Sequence, residues 1–205
     1  MTGLPSKIYN VVPILECTSP LPADERLQIG EILIRHGHDR EWGICRMHRH
    51  HDLDPNEIMV HHLSSDERTD VCKSVESSQD TKVYPHSWRF TPDGEFIPYE
   101  YSNRMRPRLS LECVLELQEQ LRIIESGLGV AFIPLDTRDE DQKWVETVDD
   151  QNRSMTSTLV PDDFHAPEFE VVAWRFVSTA PGAVKAAILR ECKKQPTGSH
   201  KAIYE

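Results

Sequence analysis

Histidine is the residue type in this chain that carries the most chemical information. Seven of the ten histidines lie between His36 and His62, and three of them fall within residues 47–51. Imidazole titrates near neutral pH and is the commonest protein ligand for transition metals. This density therefore points to metal binding or to acid–base chemistry.

His48 and His50 are the strongest pair of candidate ligands. Residues 42–48 have the composition of a strand, and alternate residues of a strand share one face, so both imidazoles point the same way while His51 points away. Two histidines and a carboxylate form the usual ligand set of catalytic zinc and non-haem iron. We predict that Glu57 completes the set as the third metal ligand. The other side chains available to complete it are His61, His62 and His86.

The cofactor that this set predicts is a divalent metal ion, zinc or iron, acting as a Lewis acid on water or substrate. Without a metal, a histidine would act as general acid or base. The predicted catalytic residues are His48, His50, Glu57 and His86. The function that follows is a small-molecule enzyme with hydrolytic, lyase or oxidative chemistry.

A predicted hairpin supplies the candidate substrate site. Two aromatic-bearing runs flank the turn at Pro92-Asp93-Gly94, which is typical of a β-hairpin. Alternating aromatic side chains on such a hairpin usually form core and cross-strand contacts. The alternative is one wall of a pocket in which arginines hold a substrate carboxylate. The predicted substrate-binding residues are Trp88, Arg89, Tyr99 and Arg104.

Gly43, His48, His50 and Glu57 follow one another in an order that resembles the first signature of the cupin family. Four residues separate Gly43 from His48 where the family has five, and Glu57 comes about two positions late. Further on, residues 92–94 match the Pro-x-Gly core of the second signature, with Ile97 in the place of its metal-binding histidine. The resemblance implies a metal-binding β-barrel, whereas the two helices predicted below favour a different architecture.

The order of predicted elements favours an α+β fold, in which two main helices pack on a mostly antiparallel or mixed sheet. Capping signals and apolar spacing predict helices over residues 23–36 and 110–126. Strands are predicted over residues 42–48, 57–63, 87–90, 95–101, 130–134 and 169–177, and the first two are expected to form a hairpin. A short final helix is predicted over residues 181–194. Residues 1–205 are predicted to form a single domain. Its irregular parts are predicted at 1–20, at the polar excursions 64–82 and 136–157, and at a tail over 195–205.

Composition limits the classes of partner and the compartment. A formal charge of −11 disfavours nucleic acid, because binding to phosphates requires a cationic face. The five cysteines are widely spaced and odd in number, which predicts a reduced protein. Apolar runs as long as a membrane helix are missing, so we expect a soluble, cytoplasmic protein with no membrane segment. The expected partner is a small-molecule substrate or another protein. The alternative function is a non-catalytic acidic interaction module, whose polar excursions bind other proteins and whose histidines are incidental.

Overall fold

The fold is a closed barrel of ten strands. The computed structural model describes residues 4–14, 21–77, 82–124, 127–135, 141–180 and 183–193. The strands are β1 (Trp42–Arg46), β2 (Glu57–Leu63), β3 (Thr69–Glu76), β4 (Tyr84–Phe90), β5 (Phe96–Ser102), β6 (Val130–Pro134), β7 (Gln142–Asp149), β8 (Ser154–Pro161), β9 (Phe169–Ala180) and β10 (Ala183–Lys193). Around the barrel they follow the order β1-β6-β4-β5-β2-β3-β8-β7-β10-β9, and β9 returns to β1. The β2–β5 and β7–β10 pairs are parallel and the other neighbours are antiparallel.

The described helices are α1 (Leu4–Asn10), α2 (Ala23–Arg35) and α3 (Leu111–Ile123), with a 3₁₀ turn at Gly127–Gly129. The helix predicted over 23–36 is confirmed, and Gly37 follows it with a φ of 71°, a conformation that glycine adopts without strain. The helix predicted over 110–126 is also confirmed as α3. At its start the Ser110 hydroxyl accepts the backbone N–H of Cys113. Across the described ranges, no helix has both the length and the apolar character needed to cross a bilayer.

Two apolar clusters divide the barrel into an outer and an inner layer. The outer cluster joins the buried faces of α2 and α3 to β1, β6 and β9, with Ile44 and Phe176 among its strand residues. The inner cluster takes the alternate residues of the same strands, such as Cys45 and Ile133, together with Tyr9 of α1. Because successive strand residues point to opposite faces, β1 presents Ile44 to the helices and Cys45 to the barrel interior.

The predicted α+β architecture is wrong, because the sheet closes on itself and helices contribute only a minor layer. Three segments account for the error. The polar excursion predicted over 64–82 contains β3, the excursion over 136–157 contains β7 and the start of β8, and the helix predicted over 181–194 is β10. These strands carry polar residues on the interior face as well as the exposed one, so the apolar alternation that identifies a half-buried strand is missing.

Strand pairing also differs from the prediction at the first hairpin. Residues 42–46 and 57–63 are strands, but β1 pairs with β6 and β9 while β2 pairs with β3 and β5. The aromatic hairpin of β4 and β5 is confirmed. The N-terminal segment predicted as irregular includes α1, and the predicted tail over 195–205 lies outside the described residues.

Candidate metal centre

One row of interior side chains crosses four neighbouring strands of the barrel. Asp70 of β3 pairs with Ser157 of β8, Ser157 pairs with Glu146 of β7, and Glu146 pairs with Cys192 of β10. All four residues are buried. Since neighbouring strands lie about 4.8 Å apart, this register brings a carboxylate and a thiol side by side.

His48 and His50 lie just beyond the end of β1. The backbone N–H of Met47 donates to the Gly129 carbonyl, and that of Arg49 donates to the Pro13 carbonyl, so the segment is held on both sides. The two imidazoles meet edge to face, with ring centroids 4.8 Å apart. His48 Nδ1 lies 2.7 Å from the Arg46 carbonyl and therefore donates to it, which leaves Nε2 as the free donor atom for a cation.

The Glu146 carboxylate lies between these imidazoles and the guanidinium group of Arg190. Its Oε1 lies 2.9 Å from His50 Nε2 and 3.9 Å from His48 Nε2. Its Oε2 accepts Arg190 Nη1 at 3.1 Å and the Ser157 hydroxyl at 3.4 Å. The second oxygen is therefore held by the barrel wall, and the first is aimed at the two histidines.

The Cys192 thiol completes a compact group of four donors. Its Sγ lies 3.8 Å from His50 Nε2, and the donor atoms of His48, His50, Glu146 and Cys192 all lie within 4.8 Å of one another. In a tetrahedral zinc site, two ligand atoms are about 3.3–3.6 Å apart, from bond lengths of about 2.1 Å to nitrogen or oxygen and about 2.3 Å to sulfur. The observed separations of 2.9, 3.8 and 3.9 Å bracket that range. These residues thus have the geometry to bind a metal ion.

The space beside the donors is small. A cavity of about 20 Å³ adjoins them. It is lined by Cys45, His48, His50, Tyr99, Glu100, Ile133, Glu146, Met155 and Arg190. Because one water needs about 10–15 Å³ of such volume, the cavity accommodates a water-sized group.

The electrostatics of the group favour positive charge at the histidines. Burial by itself disfavours the imidazolium form of His50, but contacts with Cys192 and Glu146 outweigh it and raise its pKa to about 9. The pKa of His48 is likewise held well above its usual value, against burial, by Cys192, Cys45 and Glu146. Burial opposes ionisation of Glu146, yet the two histidines and Arg190 hold its pKa well below the usual range. The negative charge of Glu146 is therefore balanced by positive charge on Arg190 and on the histidines.

A second polar group lies further around the same interior. His61 Nδ1 lies 2.6 Å from Asp70 Oδ2, and its Nε2 lies 3.4 Å from Glu100 Oε2. Cys72 stands directly opposite His61 in the β2–β3 pairing, and the His86 ring stacks on His61 with centroids 3.9 Å apart. Donor atoms of His61, Cys72 and Glu100 also lie within 4.8 Å of one another.

In this second group, the pKa shifts indicate a positive charge on His61 between negative charges on Asp70 and Glu100. Burial opposes the charge on His61, but Cys72 and Asp70 raise its pKa well above the usual value. Burial, followed by the charge of His61, lowers the pKa of His86 well below its usual value, so His86 is neutral. Burial raises the pKa of the Cys72 thiol to about 12.

The structure brings together only part of the predicted site. His48 and His50 do lie together, although the segment that carries them follows the end of β1 and is not a strand, whereas Glu57 is held by Arg153 at 2.6 Å, in an ion-pair group that also includes Asp54. His86 belongs to the second group. The third donor at the histidine pair is Glu146, so the assignment of Glu57 as their metal ligand is not what the geometry favours.

The four predicted substrate-binding residues do not share a pocket. Tyr99 lines the interior cavity, Trp88 packs against the outer apolar cluster, and Arg89 donates to the Ile8 carbonyl at 3.1 Å. Arg104 is exposed and pairs with Glu67. Consequently, the predicted carboxylate-binding wall does not form in the described part of the chain.

Sequence reasoning missed Glu146, Cys192 and Arg190 because it placed all three in an irregular segment or a helix. In β7, Trp144 and Glu146 share one face while Lys143 and Val145 share the other. This alternation is the one sign of a strand that the sequence of β7 offers.

No known family model, no curated protein and no solved structure matches this chain.

Proposed function

We propose that this protein is a metalloprotein whose barrel interior binds one divalent transition-metal ion, best zinc, through His48, His50, Glu146 and Cys192. The observation that carries the proposal is the convergence of four buried donor atoms within 4.8 Å of one another, drawn from three separate parts of the chain. Because the four donor groups are buried, with the His48 side chain 6% exposed, chance proximity on a solvated surface does not explain the arrangement.

The donor set favours zinc over other ions. Two imidazoles, one carboxylate and one thiolate are ligands that zinc accepts in tetrahedral geometry. His48, His50 and Glu146 alone would form the two-histidine, one-carboxylate set that also binds iron(II), and the sulfur of Cys192 shifts the preference to zinc. Calcium and magnesium prefer oxygen ligands and fit poorly.

Neighbouring residues supply the support that a metal site needs. The Arg46 carbonyl fixes the ring of His48 with Nε2 turned inward, and Arg190 and Ser157 fix the second oxygen of Glu146. Hydrogen bonds of this kind orient ligands and hold their protonation states. A carboxylate, a thiolate and a dication together are neutral, and Asp70 and Glu100 supply further negative charge to Arg190.

The expected role of this ion is to clamp the barrel, because four protein donors leave no open coordination position. It would tie the segment after β1 to β7 and β10. The adjoining space of about 20 Å³ admits a water-sized ligand and no organic substrate. The acidic interaction module with incidental histidines is less well supported, because it gives no reason for four buried donors to converge.

Elemental analysis of protein freed of any histidine tag tests the proposal. Wild-type protein should contain close to one zinc per chain at this site, and the His48→Ala/His50→Ala variant should lose it. His51→Ala is the matched control, since His51 belongs to the same run but not to the donor group. At free zinc about 100 times the dissociation constant, binding contributes about 2.7 kcal/mol, which raises the melting temperature of a chain this size by roughly 5–11 °C. A zinc content in the double variant equal to that of the wild type, or a melting temperature that does not change with zinc, would contradict the proposal.

A further inference from the structure

The second polar group in the barrel has donors of its own, separate from those of the proposed zinc site. It consists of His61 on β2, Cys72 on β3 and Glu100 on β5, which are neighbouring strands. All three residues are buried. Asp70 of this group and Glu146 of the first are separated by two strand spacings, roughly 10 Å between their backbones. Glu100 also lines the cavity beside the first group, but the two sets of donors have no residue in common.

His61 has the orientation of a metal ligand. Its Nδ1 lies 2.6 Å from Asp70 Oδ2, and a histidine that binds a metal usually donates its other ring N–H to a carboxylate in this way. Its Nε2 lies 3.4 Å from Glu100 Oε2. A charge-assisted hydrogen bond is usually about 2.7–2.9 Å long, whereas two ligands of a tetrahedral zinc lie about 3.3–3.6 Å apart. The longer separation leaves room for an ion between the two atoms.

Two buried polar atoms beside this group have no partner among the described residues, namely Asp70 Oδ1 and His86 Nδ1. Buried polar atoms are seldom left without hydrogen bonds, and each one calls for a bound group that satisfies it. His86 is 1% exposed and its ring lies against that of His61. Its free nitrogen therefore sits beside the donors, where a water held by an ion could be hydrogen-bonded.

We propose that His61, Cys72 and Glu100 form a second, separate site for a divalent transition-metal ion, with a water molecule as its fourth ligand. Three protein donors and one open position are the arrangement of catalytic zinc sites, whereas four protein donors are the arrangement of structural ones. The second ion would activate its bound water as a Lewis acid. The inference goes beyond the proposed function, because the two donor sets have no residue in common.

Cobalt(II) substitution tests the two sites separately, because each contains one thiol. Metal-stripped protein is titrated with cobalt(II), and the thiolate-to-cobalt charge-transfer absorbance is read per chain. We expect Cys72→Ser and Cys192→Ser each to lose about half of the wild-type band, and the double variant to lose all of it. Cys113→Ser is the matched control. Cys113 lies on the buried face of α3 in the outer cluster, so its substitution should leave the band unchanged.

The outcomes distinguish the two proposals. A full wild-type band in Cys72→Ser that disappears in Cys192→Ser overturns the second site and leaves the first. The opposite pattern keeps the second site and removes Cys192 from the first. If Cys72→Ser does not fold, the zinc content of the His48→Ala/His50→Ala variant after equilibrium dialysis decides the matter, because one ion per chain keeps the second site and none overturns it.

Discussion

Replacing Glu146 with glutamine in metal-free protein is the most direct test of the interior charge arrangement. Glu146 is 3% exposed and is the only described carboxylate that contacts His50 and Arg190 together. Glutamine keeps the shape and removes the charge, so a buried guanidinium and a buried imidazolium lose their shared counter-ion. Removing one partner of a buried ion pair costs about 3–5 kcal/mol. For a chain of this length that loss lowers the melting temperature by roughly 6–20 °C.

The assay is thermal or denaturant unfolding in the presence of a chelator. Glu67→Gln is the matched control, because the exposed Glu67 pairs with the partly exposed Arg104 and exposed pairs contribute about 0–1 kcal/mol. Adding Arg190→Met to Glu146→Gln removes the unpaired cation, so the double variant should lose less stability than the two single losses added together. If Glu146→Gln unfolds at the same midpoint as Glu67→Gln, the interior charge network described above is wrong.

Two further predictions concern the packing of α2 and the role of Glu57. In Gly30→Ala, the new Cβ would lie 2.2 Å from the Phe176 ring, so an overpacking cost of about 1–3 kcal/mol should exceed the gain of about 1 kcal/mol in helix propensity. Denaturant unfolding should show a net loss that Phe176→Leu partly restores, and a stabilised single variant would refute this packing of α2. In Glu57→Gln, zinc content should stay at the wild-type value and stability should fall by at most about 1 kcal/mol. Elemental analysis that finds less zinc would return Glu57 to the ligand set.

The parts of the fold that could be predicted are those whose signal is local. Gly37 and Ser110 mark helix ends, and the turn at residues 92–94 marks a hairpin, because each depends on backbone conformation within a few residues. His48 and His50 are close in sequence, so their proximity needs no long-range contact, although the strand predicted over 42–48 ends at Arg46. None of these features depends on how the chain closes on itself.

The rest could not be predicted because it depends on register between distant strands. Glu146 lies 96 residues from His50, and Cys192 lies 142 residues from it. Polar residues on both faces give β3 and β8 the composition of loops, and the alanines of β10 give it the composition of a helix. The carboxylate nearest in sequence, Glu57, was therefore chosen over the one that is nearest in space.

The polar interior itself argues for a function. A barrel closed around apolar side chains would be at least as stable, since buried ion pairs can often be replaced by well-packed apolar residues without loss. This barrel does have such a filling in its inner apolar cluster, where Tyr9 and Met59 are fully buried. Charged residues occupy the remaining interior, where the described carboxylates of Asp70, Glu100 and Glu146 each face a histidine, while the buried Glu191 pairs with Lys143. Imidazole, unlike a lysine ammonium group near its usual pKa, is a common metal ligand once it has given up its proton. The choice of partner, more than the presence of charge, is what favours ion binding over a purely structural salt-bridge network.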